Sequence, residues 1–183
     1  MSSLTGKRDD AAVKMALEAA GYQGEKLVLI VATEQFTKPL SDVAADVLKR
    51  VGMNVDYQAM DTGTGLQRRA SLKPPAEGGW NLLASTFPGL DFLTPASHPL
   101  LRGNGKGAWP GWPDDPKIEE LREAWFNAPD LAEQKKIGVE IQLQAFQSVP
   151  YWPLGLAQIS TAYRRDITGV LEGFAKFWNV RRI

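Results

Sequence analysis

The residues able to do chemistry are few: one histidine, His98 in "SHPL", and no cysteine. A zinc site needs several imidazole or thiolate ligands, and a nucleophilic dyad needs a thiol or hydroxyl beside a base. One imidazole supports neither, so His98 reads as a loop histidine that hydrogen-bonds locally. The run "GNGKG" at 103–107 is glycine-rich, but no strand runs directly into it and no helix opens directly after it. Gly107 also stands where a phosphate loop needs Ser or Thr. The acid pairs Asp114-Asp115 and Glu119-Glu120 fall where helix starts favour negative charge, and capping is their expected work. Arg68-Arg69 and Arg164-Arg165 are balanced by acids nearby and read as solvated faces. No metal and no cofactor is implied, and no nucleophile, base and orienter come together as an enzyme requires.

Two features remain. In "STFPGLDFLTP" (85–95) a single carboxylate, Asp91, sits between Leu90 and Phe92 just beyond a Pro88-Gly89 break. An unpaired carboxylate buried there would cost several kcal/mol, so Asp91 belongs outside the core. It either bonds backbone N–H groups of its own turn or faces a cleft as the anchor of a cationic group. In "GAWPGWP", Trp109 and Trp112 lie in a loop. They either line a ligand site, as aromatic walls of small-molecule pockets do, or pack elsewhere.

The elements that must position these residues follow from periodicity. With 44% apolar and 23% charged residues over 183 positions, the chain is globular and long enough for one good-sized domain. Lys and Arg number 21 against 21 Asp and Glu, which leaves no positive field for nucleic acid. No apolar run reaches the roughly 18 residues that cross a bilayer. A helix is predicted from Asp9, with Val13, Ala16, Leu17 and Ala20 on one face and Gly21 at its end. "KLVLIVA" (26–32) reads as a strand covered on both sides. In "TKPLSDVAADVLKRVGM", Leu40, Val43, Ala44, Val47, Leu48 and Val51 form one stripe. "NVDYQAM" (54–60) completes a βαβ unit. A helix over "GLQRRASLK" and a third strand in "WNLLAS" (80–85) come next, Trp80 counting as core. Residues 87–114 hold five prolines and five glycines and read as a loop of the length that binds ligands when ordered. Two packing helices follow. Asp115 caps the first, with Ile118, Leu121 and Trp125 inward; Asp130 and Glu133 start the second, with Ile137, Ile141 and Ala145 inward. The tail is aromatic but has no period from which to build its own core.

In this order the pieces resemble the C-terminal part of a family 5 extracellular solute-binding protein, the peptide/nickel/oligopeptide-binding component of bacterial ABC importers. The matching segments are "AAVKMALEAAGY", "DVLKRVGMNVDYQAMD", "GGWNLLASTFPGLDFLTP", "DDPKIEELREAWFNAPDLAEQKKIGVEIQLQAF", "VPYWPLG" and "TAYRRDITGV…FWNV", together spanning most of 9–180. The resemblance implies an α/β lobe of the type II periplasmic-binding-protein fold, a mixed sheet flanked by helices. Residues 1–8 would be an added start and linker, 9–155 the ligand-binding lobe, and 156–183 a return segment completing the other lobe. It implies a binding protein, not an enzyme, that takes a peptide or similar small solute in the periplasm and meets the membrane only through its ABC permease subunits. A solute-sensing lobe of a transcriptional regulator is the alternative. The ligand-facing loop would run from about Thr86 to Trp112, with Thr86, Phe87, Asp91, Trp109 and Trp112 as the ligand-binding residues. The acid with which peptide binders of the family hold the α-ammonium would fall nearer Pro88 or Gly89; Asp91 is the closest carboxylate, and a solute other than a simple peptide fits equally well.

Overall fold

A computed structural model describes residues 6–34, 37–158, 160–173 and 176–183. The chain divides into two compact units, one through Trp152 and one from Pro153 to Ile183.

In the first unit, α1 (Asp10–Ala19) starts where Asp9 accepts hydrogen bonds from the Ala11 and Ala12 N–H groups, and it stops before Gly21, at φ 84°. It forms as its periodicity predicts, but none of its residues is buried, and Val13 and Met15 stay exposed. The strand β1 (Lys26–Ala32) follows. Its four central residues, Val28 to Val31, are all buried, as a continuous apolar run requires when helices and neighbouring strands cover it. The helix α2 (Lys38–Arg50) leads to β2 (Asn54–Met60), and β1 and β2 pair in parallel from Lys26 opposite Asn54 to Ala32 opposite Met60.

The face that α2 presents inward keeps Leu48 and Val51 of the predicted stripe and adds Ser41 and Ala45, which the stripe did not include. Ser41, Ala45 and Leu48 are buried, whereas Val43 is 63% exposed. Ser41 meets its own polar demand locally, donating to the Thr37 carbonyl at 3.1 Å, so a hydroxyl occupies a core position without an unsatisfied group.

The helix α3 (Thr62–Arg69) is capped by Asp61, which accepts from the Thr64 N–H. The third strand, β3 (Leu82–Leu83), completes the order β2-β1-β3, parallel in both pairings. It is far shorter than the expected 80–85. Asn81 explains part of this: its side-chain Oδ1 accepts from the Val28 N–H at 2.8 Å while its own N–H donates to the Val28 carbonyl at 2.9 Å. A side chain thus replaces a rung of the ladder. The helices α4 (Pro116–Phe126) and α5 (Leu131–Ser148) close the unit. Asp115 caps α4 and also accepts from the Gln144 side chain at 2.9 Å; Asp130 caps α5 through the Glu133 N–H. Leu121, Ile137 and Ile141 pack with Leu101, and Trp125, Ala145 and Tyr151 lean on them. A second cluster joins Leu29, Val31 and Ala45 beneath the sheet.

The second unit has little regular structure. Its strands β4 (Ile167–Thr168) and β5 (Arg181–Arg182) form a short antiparallel pair. Tyr163, Phe177 and Trp178 are exposed at 58, 76 and 82%, which agrees with a tail unable to build a core. Phe174, another of its aromatics, lies outside the described residues.

Candidate functional site

Because β1, β2 and β3 are parallel, their carboxyl ends share one edge, where open α/β sheets receive ligands. The chain leaving β3 at this edge carries Thr86 and Phe87, and the loop it enters is held in place by a series of specific bonds. The Gly105 N–H donates to the Pro113 carbonyl and the Asp115 N–H to the Gly103 carbonyl, at 3.0 and 2.9 Å. Gly103 is required at this crossing, since a Cβ there would stand 2.3 Å from the Asp115 carbonyl oxygen. Glu119 on α4 binds the loop's other side, accepting from the Gly103 N–H at 2.7 Å and from two nitrogens of Arg102. Burial opposes its charge, but these bonds outweigh burial and hold its pKa below the ordinary carboxylate range. Arg122, itself buried, donates to the Pro95 carbonyl.

At the tip of this closed loop, "WPGW" makes a tight turn. The Trp112 N–H donates to the Trp109 carbonyl at 2.8 Å, with Gly111 at φ 116°. Proline then glycine in the two central positions is the type II turn signature. Trp112 itself sits at φ 47°, an uncommon and costly conformation for a bulky side chain. The turn aims the two indoles at different partners. Trp112 packs on Trp80 at 5.9 Å between centroids, and Trp109 meets Phe87 edge-on at 5.0 Å.

From Phe87 a row of rings continues through Phe92 at 5.4 Å to His98, stacked on Phe92 at 4.4 Å, and on to Tyr151 at 5.4 Å. His98 is buried, not merely a loop residue. Its Nε2 lies 3.2 Å from the Tyr151 hydroxyl, and its Nδ1 accepts from the Leu100 N–H. Burial first, and the nearby Arg122 charge second, lower its pKa to about 4. An unfolded histidine titrates near 6.5, so on acidification the unfolded state takes up the proton first. His98 therefore contributes stability fully above about pH 6.5 and loses it as pH falls towards about 4. Urea melts between pH 7.5 and 4.5 are expected to show a steeper loss for the wild type than for His98→Gln; equal slopes would refute this account of the ring.

Of the candidate residues, Phe87 and Trp109 touch each other, Trp112 belongs to the adjoining Trp80 pair, and Thr86 is exposed beside them. Trp80 is half-buried in this cluster and not in the core. Asp91 lies eight residues beyond β3, in a 3-10 turn over Gly89–Phe92, and so not at the strand's end. It is half-buried and outside the core. Among the described residues its carboxylate makes no hydrogen bond or ion pair, so of the two alternatives the turn bond is absent there.

The arginine pair is where sequence reasoning missed most. Instead of a solvated face, Arg68 clamps the turn before β3, donating to the Gly78 and Gly79 carbonyls at 3.1 and 3.0 Å. Arg69 lays its guanidinium over Trp109 at 4.8 Å, and its backbone carbonyl accepts from the Trp80 indole at 3.2 Å. The helical spacing of α3 against two tryptophans far along the chain offered no local signal for this.

No family model matches the chain. It is similar to a probable peptide ABC transporter periplasmic-binding protein, y4tO, of Sinorhizobium fredii, with 30% identity over 176 residues, 95% of this chain and 33% of that protein. The crystal structure of a dipeptide-binding protein from Pseudoalteromonas sp. SM9913 in complex with Met-Leu matches it with a TM-score of 0.65 at 18% identity, over 96% of this chain and 36% of that one. The chain spans about a third of the length of the curated relative it matches. By sequence over nearly all its length, the chain is thus similar to one third of a probable peptide ABC transporter periplasmic-binding protein, and its fold is that of the matching part of a dipeptide-binding protein.

Proposed function

We propose that the chain is a lobe of a solute-binding protein that captures a peptide or similar small solute in the periplasm and delivers it to an ABC permease. The observation that carries this is the 30% identity to a peptide-transporter binding protein over 95% of the chain. The loop at the carboxyl edge of the sheet supports it, since aromatic walls with a few charged groups suit a small solute. Thr86, Phe87, Asp91, Trp109 and Trp112 are the proposed ligand-facing residues, with Asp91 holding a cationic group. Residues 9–155 are the proposed ligand lobe, and 156–183 a return segment serving the other lobe. The separation of a compact unit ending at Trp152 supports that division. Native mass spectrometry of the full-length protein purified from its own host is expected to find a bound mass that peptidase treatment of the released ligand destroys. A peptidase-resistant solute, or an empty protein that no peptide in a mixed pool stabilises thermally, would sink the peptide reading.

A further inference from the structure

We propose that His98, through the ring of Phe92, positions the turn that carries Asp91 and so sets how well the site holds a solute's cationic group; this rests on the reading of Asp91 given above. The turn Gly89–Phe92 has little of its own to hold it. Its bonds run from the Asp91 N–H to the Pro88 carbonyl at 3.0 Å and from the Leu93 N–H to the Leu90 carbonyl at 3.4 Å. Among the described residues no side-chain hydrogen bond ties Gly89, Leu90, Asp91 or Phe92 to the rest of the chain. Leu90 and Leu93, on either side of Asp91, are 52 and 70% exposed. What remains is the Phe92 ring, tilted against Phe87 and stacked on His98 with only 22° between the planes.

His98, by contrast, is fixed at each of its polar atoms. Its backbone N–H donates to the Thr94 carbonyl at 3.1 Å. Because Nδ1 accepts from the Leu100 N–H, the ring proton sits on Nε2 and is donated to the Tyr151 hydroxyl. Tyr151 packs against the cluster of Leu101, Leu121, Ile137 and Ile141. The chain reaches it through Val149 at φ 47°, a conformation that a β-branched residue keeps only where its surroundings enforce it. Arg122 holds the segment before His98 through the Pro95 carbonyl. The imidazole is thus a rigid platform, and flat stacking passes its rigidity to Phe92 and to the residue before it, Asp91. A carboxylate held in place by such support meets a cation with little freedom left to lose. His98 is buried and touches no solute in this role, which makes it a positioning residue.

The test uses the full-length protein and a mixed pool of tripeptides, each as the free amine and N-acetylated, with calorimetry on the tightest binder. Wild type is expected to prefer the free amine. His98→Ala is expected to cut that preference by roughly tenfold or more, the scale on which removing a group that only orients a metal-ligating side chain weakens binding. The acetylated peptide should keep its affinity and so report a folded protein. Phe92→Leu, a change at a ring already 37% exposed, is expected to do the same without emptying a buried position. The two losses should not multiply in the double variant, since each breaks the same contact. A preference that survives in either single variant, or losses that multiply in the double one, would overturn the role of His98 and leave Asp91 standing as the anchor. Equal binding of both forms by wild type would overturn Asp91 and His98 together and leave the peptide reading standing. Binding of neither form would overturn all three.

Discussion

Truncating Ile141 to alanine is expected to lower the stability of the chain by about 2–5 kcal/mol, the range for removing most of a large aliphatic side chain from a packed interior. Ile141 is 1% exposed and belongs to the cluster of Leu101, Leu121 and Ile137. That cluster is the meeting place of α4, α5 and Leu101 of the loop between β3 and α4, so the cavity left by the truncation has helices on two sides and little freedom to collapse. Leu143, two residues along the same helix, is 58% exposed, and its alanine variant is expected to change stability by less than about 0.5 kcal/mol. Urea denaturation of both variants checks the contrast. Equal effects would show that the helix pair is not the core of the unit.

A comparably large effect, on binding, is expected at Asp91. In the full-length protein, Asp91→Asn should weaken a peptide bearing a free α-ammonium by about 2–5 kcal/mol, because one partner of a desolvated charge pair is removed. An N-acetylated version of the same peptide should bind wild type and variant alike. The expectation rests on the half-buried position of the carboxylate in the 3-10 turn and on its lack of a partner among the described residues. A residue serving only its turn would tolerate the change, since the amide oxygen accepts the same backbone bonds. Calorimetry with the two peptides separates the cases, and unchanged affinity for the free amine would end the anchor role.

Much of this fold is legible in single segments, because the signals there act over a few residues. The strand Lys26–Ala32 falls where seven consecutive apolar-rich residues place it. The starts of α4 and α5 follow from Asp115 and Asp130, whose side chains reach N–H groups two or three residues ahead. The order of the motifs also carried the family resemblance, which the similarity to peptide-transporter binding proteins supports. Tertiary structure decided what depends on partners remote in sequence. Val43 is as apolar as Leu48 and Val51 of its predicted stripe, yet it stays exposed while Ser41 and Ala45 are buried beside them, since where the helix meets the sheet, not hydrophobicity alone, selects the side. The third strand pairs over only two residues because Asn81 competes for Val28 with its side chain. His98 finds Tyr151 53 residues away, and Arg69 finds Trp109 across the loop. A sequence read locally identifies which groups could be charged or aromatic; the path of the backbone between them determines which are neutralised, which are stacked, and which keep a hydrogen-bonding edge for something else.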